Sequence, residues 1–184
     1  MQLKPLARSR GFTLIELLVV VVIISISFGV MLMTISFGSV EDDIKEELQR
    51  LKQLAGFAHR QAIIEAQEYG IYFTSQGYEF MALDPLKGLW LPLEKDKLLR
   101  PRLLPSPLQL ELFVEDNEVS LDEERQAPKD DETAAQLLPH VFLFSSGEAY
   151  PDFTLQIRVP GETTKYSLQG NQLGELTIHN EEDE

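Results

Sequence analysis

Gly11-Phe12-Thr13-Leu14-Ile15-Glu16, followed by an apolar run that continues to Val40, organises the rest of this chain. Lys4, Arg8 and Arg10 precede it, with no acidic residue among them. Leu17 to Val40 carries no charged side chain. At about 1.5 Å per helical residue this stretch is long enough to cross a hydrocarbon core of about 30 Å. The residue that does not fit is Glu16. A carboxylate at the bilayer centre costs about 2.5–3.5 kcal/mol on insertion scales, and less towards the interface. An ionisable group in such a segment therefore points to a function and needs a partner. The flanks set the orientation: bases precede the span, whereas Glu41, Asp42 and Asp43 follow it. The positive-inside bias places the N-terminus in the cytoplasm.

Three simpler explanations fit less well. A secretory signal peptide has an apolar core of about 7–15 residues and then a small-residue cleavage site, whereas this run is much longer and opens on an acid. A lipoprotein needs a cysteine, and the chain has none. A plain membrane anchor accounts for the hydrophobicity but for neither Glu16 nor the Gly11-Phe12 junction. The arrangement resembles the processing site of type IV pilins and type II secretion pseudopilins. That resemblance implies cleavage by the prepilin peptidase between Gly11 and Phe12, N-methylation of Phe12, and an assembly role for Glu16. It also implies a diderm bacterium. The protein would be a single-pass inner-membrane protein with a cytoplasmic N-terminus and a periplasmic C-terminal domain.

Composition bounds the rest. A chain of 184 residues suits one soluble domain plus an anchor. Its formal net charge is −14, and loss of the three leader bases would leave −17. Such a chain repels nucleic acid and anionic lipid surfaces. Without cysteine there are no disulfides, Cys-zinc sites or thiol chemistry. Stability must then come from packing alone.

Periodicity supplies the organisation. No proline lies between Pro5 and Pro85, which permits a continuous helix from about Phe12 to Gln67, with Gly29 and Gly38-Ser39 as weak points. Ile44, Leu48, Leu51, Ala55, Ala58 and Ala62 recur in steps of four and three, an apolar stripe on one helix face. Leu54, Phe57, Ile63 and Ile64 widen it, and Gly70 is the expected stop. Beyond Gly70 the period changes to that of strands: Ile71 to Thr74 and Tyr78 to Leu83 flank Ser75-Gln76-Gly77 as a hairpin. Further strands are expected at Leu89–Leu91, Gln109–Val114, His140–Phe144, Phe153–Val159, Lys165–Leu168 and Glu175–His179, the last three as a meander. Pro92 to Pro107, with four prolines, reads as an irregular surface crossing. Glu115 to Glu132, with nine acids and two bases, reads as a mobile loop.

The expected fold is therefore α+β: a long N-terminal helix, transmembrane in its first half and amphipathic in its second, packed on an antiparallel β-sheet or β-sandwich domain. The expected segments are a leader at 1–11, a transmembrane helix at 12–40, an amphipathic periplasmic helix at 41–69, a β-rich periplasmic domain at 70–180 and an acidic tail at 181–184.

Beyond its N-terminus the chain resembles the H-type minor pseudopilins of the type II secretion system. The matching pieces are Ala58-His59-Arg60-Gln61-Ala62-Ile63, Phe144-Ser145-Ser146-Gly147, and the ending from Leu168-Gln169-Gly170 to Leu176-Thr177-Ile178. His59-Arg60 departs in part from the family's helical Ala-Arg-x-x-Ala-Ile element. The resemblance implies a structural subunit at or near the tip of a periplasmic pseudopilus, which helps initiate its assembly and supports export of folded proteins across the outer membrane. The implied partners are other minor pseudopilins, the major pseudopilin, the prepilin peptidase/methyltransferase and the inner membrane. The secretin and secreted cargo are further candidates, and nucleic acid is not one.

Three rival readings are open on residues alone. A minor pilin of a type IV pilus is the nearest, although the acidic C-terminal half argues against DNA binding and typical pilins carry cysteines. An anchored enzyme would need a site, but His59, His140 and His179 show no ligand spacing and Ser145-Ser146-Gly147 is not a Gly-x-Ser-x-Gly elbow. Calcium could take oxygen ligands from Asp116, Glu118, Asp122, Glu123 and Glu124, but their spacing is not that of an EF-hand. No catalytic residue, metal or cofactor is expected.

Overall fold

The computed structural model describes residues 14–33, 40–123, 137–162 and 166–180, with side chains in the first segment given to Ser25. The chain divides into two units, Met1–Ser39 and Val40–Glu184.

In the first unit, helix α1 runs Leu14–Met33 and continues through Gly29. Among the described residues no helix is long and apolar enough to cross a membrane. The expected span at 12–40 lies partly outside the described residues, as does the junction at 34–39 that would make one continuous helix.

In the second unit, helix α2 (Val40–Glu65) opens with Glu41, Asp42 and Asp43 in its first turn, where acids favour the positive end of the helix dipole. Its buried positions are Ile44, Glu47, Leu48, Leu51, Ala55, Ala58 and Ala62. All six expected stripe residues are thus inside, with Glu47 added. Leu54 and Phe57 pack at the margin, whereas Ile63 and Ile64 are exposed. These two follow Ala62 by about 100° and 200° around the helix, which turns them off the core face. Gly70 is not the stop. The helix ends at Glu65; the next residue, Ala66, takes a left-handed φ of 49°, and the Gln67 N–H donates to the Ala62 carbonyl at 3.1 Å. That is a Schellman-type closure made without glycine.

Gly70 instead sits inside β1 (Tyr69–Thr74), where an added Cβ would come within 2.5 Å of Pro139. Strand β1 pairs with β2 (Gly77–Asp84) through the two-residue turn Ser75-Gln76. The remaining strands are β3 (Leu89–Pro92), β4 (Arg102–Leu103), β5 (Gln109–Val114), β6 (Asn117–Val119), β7 (Val141–Leu143), β8 (Ala149–Tyr150), β9 (Phe153–Arg158), β10 (Tyr166–Gly170) and β11 (Leu176–Asn180). They form two antiparallel sheets. One has the order β3-β2-β1-β7-β8, with β4 also on β2; the other is β11-β10-β9-β5-β6. The expected meander is present as β9-β10-β11.

Alternation places Leu110 and Leu112 of β5, and Phe153, Leu155 and Ile157 of β9, in the interior. They join Ile71, Phe73 and Phe80 of the other sheet and the α2 stripe in a single core. The architecture is therefore α+β, a helix packed on antiparallel sheets. Two expected loops are partly ordered. Pro92 to Pro107 contributes β4 and sends Leu99 into the core, so it is more than a surface crossing. Glu115 to Glu132 was expected to be a loop throughout, but its first part forms the β5–β6 hairpin. Glu115 and Asp116 take φ of 50° and 64° there, a turn of the primed type usually made by Asn-Gly. Residues 124–132 lie outside the described residues.

Candidate functional site

Of the sequence-predicted site residues, Lys4, Arg8, Arg10, Gly11 and Phe12 lie outside the described residues. Glu16 is described, and it stands in the first turn of α1. Around it Leu14, Ile15, Leu17, Leu18 and every residue from Val19 to Ile24 are exposed. A helix that is apolar on all sides is built to be buried by something else, either a bilayer or neighbouring helices. Each such aliphatic side chain is worth roughly 1.5–3 kcal/mol when fully buried. Between Leu14 and Ser25 Glu16 is the one ionisable side chain. Whatever covers α1 must therefore accommodate a carboxylate at one height and one azimuth.

Folding brings other groups together in the second unit. Glu47 is buried and bonded to Arg50, which also meets Glu46 at 2.7 Å. The Tyr78 hydroxyl lies nearby. Burial pushes it up to about 12, with the Glu47 charge adding to the shift and Arg102 and Arg50 opposing it. Glu68 accepts from both the Ser145 N–H (3.0 Å) and the Ser145 hydroxyl (2.8 Å). The serine turn is thus a structural staple, not a nucleophile. His140 Nδ1 accepts from the Phe73 N–H at 3.0 Å, and its ring stacks on Tyr72 at 4.7 Å. Burial holds this imidazole below its ordinary value, against the pull of Asp122. His59 is half-buried with its ring against Gly174, where an added Cβ would lie 2.1 Å away. The three histidines serve three separate places, and among the described residues no group of three or more His, Asp or Glu could hold a metal ion.

The pieces that carried the family resemblance sit where packing is tight. Ala58 and Ala62 are in the core beneath the sheets. The turn Asn171–Glu175, between β10 and β11, is organised by the Asn171 carboxamide oxygen, which accepts from the Leu173 and Glu175 N–H groups at 3.0 Å each. Sequence reasoning missed Glu47, Glu68 and the role of Gly174. Of these, only Gly174 left a signal, as a glycine in a turn that takes φ of 72°.

Residues 6–32 match the family described as the prokaryotic N-terminal methylation motif. The type II secretion system protein H of Pseudomonas aeruginosa is 31% identical over 153 residues, covering 83% of this chain and 85% of its own. The protein of the same name from Vibrio cholerae is 30% identical over 193 residues, covering 96% and 98%. The crystal structure of the minor pseudopilin EpsH from the type II secretion system of Vibrio cholerae superposes with a TM-score of 0.62 at 26% identity, covering 77% of this chain and 99% of that one.

Proposed function

The chain belongs to the family of type II secretion system protein H, and on that premise we propose how its N-terminal segment serves assembly. It is a minor pseudopilin, a structural subunit and not an enzyme, and the type IV pilin alternative is not favoured. As such it is membrane-anchored and faces the periplasm, and it works with other pseudopilins and the secretion machinery.

In the proposed reading, the prepilin peptidase cuts between Gly11 and Phe12, and the new amino group of Phe12 is methylated. Residues 12–40 cross the inner membrane, with Lys4, Arg8 and Arg10 holding the leader on the cytoplasmic side. The Glu16 carboxylate of one subunit pairs with the Phe12 amino group of a neighbour. In low dielectric a lone charge is expensive and a matched pair much less so, so pairing rewards one axial stagger between subunits. The subunit takes its place at or near the pseudopilus tip, in contact with other minor pseudopilins and the major one, and supports export of folded proteins. The secretin and cargo are partners of the same assembly.

The observation that carries this reading is Glu16 as the one ionisable side chain on an exposed helix that is otherwise apolar from Leu14 to Ile24. In cells, Glu16→Leu should insert normally while co-purification with the other pseudopilins falls at least tenfold; unchanged co-purification rejects the pairing. Gly11→Val should leave the leader uncut on an immunoblot, because a branched side chain blocks backbone entry to the peptidase cleft.

A further inference from the structure

We propose that the open edge of β11, together with the groove between β11 and α2, accepts an extended strand from another protein, and that the groove-facing residues of that strand alternate acidic and apolar. Among the described residues five strands lie at a sheet edge, and four are blunted, β4 among them with two residues. Strand β3 ends in Pro92, β8 has two residues, and β6 has three residues including Glu118 beside the Glu115-Asp116 turn. Short strands, proline and charge are the usual devices against edge pairing. By contrast β11 offers Leu176-Thr177-Ile178-His179, with no proline, lysine or acid. Among the described residues no strand pairs with its outer side.

The ladder identifies which backbone groups are available. Asn171 N–H donates to the Glu175 carbonyl at 3.2 Å, so those two form a hydrogen-bonded pair at the hairpin end. Antiparallel pairs alternate between bonded and non-bonded. With Gly170 opposite Leu176 and Leu168 opposite Ile178, the N–H and C=O groups of Leu176 and Ile178 turn to the open edge.

The groove supplies the second, independent observation. A cleft of about 620 Å³ runs between the flank of α2 and β11, with Leu54, Phe57 and Leu176 in its lining and Arg50, Lys52 and Arg60 among its charged residues. Arg50 is committed to Glu46 and Glu47. Lys52 and Arg60 make no ion pair among the described residues, on a chain whose net charge is −14. Side chains directly opposite one another in a ladder share a face. Leu176 faces the core that α2 shares and lines the groove with Gly174, so an incoming residue opposite Leu176 and its same-face neighbour towards Gly174 would lie over this groove. Acidic side chains there meet Lys52 and Arg60, and apolar ones meet Leu54 and Phe57. A second copy is a poorer occupant. Pairing β11 with β11 would set Leu176 and Ile178 over the groove and place no carboxylate near either cation.

The inference rests on reading the chain as an assembly subunit. Glu16-dependent co-purification tests that reading, whereas the following binding assay tests the edge alone. The full-length chain in mild detergent would be titrated against a labelled nine-residue peptide, Thr-Glu-Thr-Val-Thr-Glu-Thr-Leu-Thr, and against its counterpart with Lys in place of Glu. The acidic peptide should bind by fluorescence anisotropy and slow amide exchange at Leu176 and Ile178. Lys52→Glu with Arg60→Glu should weaken it at least tenfold and favour the basic peptide instead. Ile178→Pro should abolish binding of the acidic peptide, since it removes an outward N–H. Equal binding of the two peptides, absence of binding at millimolar peptide, or unchanged exchange at β11 would overturn the proposal. A dimer in light scattering that Ile178→Pro dissolves would assign the edge to a second copy and overturn it equally.

Discussion

Helices α1 and α2 are consecutive in the chain and physically opposite. From Leu14 to Ile24 α1 is apolar but for Glu16, and its aliphatic side chains are exposed all round. Helix α2 is studded with charge, yet it buries seven positions on one face. Hydrophobic content alone does not decide what a helix buries within its own chain; the spacing of that content does. A stripe at 3.6-residue period finds a partner surface on the sheets, whereas an all-round apolar helix has no preferred side and must be covered by another phase or other subunits.

The comparison can be broken most sharply by matched truncations. Leu48→Ala or Leu51→Ala, each at a buried α2 position, should cost about 2–5 kcal/mol of unfolding free energy, as for other leucine-to-alanine changes in cores. Leu18→Ala in α1 should change the stability of the β-rich unit by less than about 0.5 kcal/mol. Denaturant midpoints of the full-length protein in detergent compare the two, and an equal loss for Leu18→Ala would end the contrast.

The close approach of α2 to the sheets offers a smaller effect. Ala58 is fully buried, so Ala58→Leu should destabilise by about 1–3 kcal/mol through overpacking. Val20→Leu, at an exposed α1 position, should be silent in that measurement.

The smallest expected effect depends on pH. Burial holds His140 below its ordinary value, and its Nδ1 must be unprotonated to accept from Phe73. The unfolded chain takes up this proton first as pH falls below about 6.5. The contribution is therefore complete above that pH and is lost as pH falls through the lower folded value. Unfolding curves between pH 7.5 and 5 should be steeper in pH for the natural chain than for His140→Gln, and parallel curves would contradict the assignment. Helix α1 contains no histidine and should add nothing to this slope.

The legible parts of the fold were those in which a local period and the final burial coincide. Ile44, Leu48, Leu51, Ala55, Ala58 and Ala62 repeat at the helical period, and all six are inside. Gln109 to Val114 alternates at the strand period and is β5 over the same residues. Glu47 lies on the same face, three residues after Ile44, but a carboxylate reads as solvent-facing; it is inside paired with Arg50. The β5–β6 hairpin was hidden because Glu115 and Asp116 lack the usual turn signature. Leu99 was hidden by the prolines around it. Of the candidate site, the Gly11-Phe12 junction and Glu16 were legible because their chemistry is local. The β11 edge and the groove beside it were not, because they join residues more than a hundred positions apart.

The chain's own order of residues was enough to establish an apolar segment with a single carboxylate, an amphipathic helix after it, and a run of short strands. All three follow from periods of two and 3.6 and from the cost of placing charge in hydrocarbon. Tertiary structure alone decided that helix α2 ends at Glu65 and not Gly70, that His59 faces Gly174, and that β11 stands at a sheet edge with no described strand on its outer side. Those outcomes depend on which surfaces meet across long separations, and no local pattern encodes the meeting.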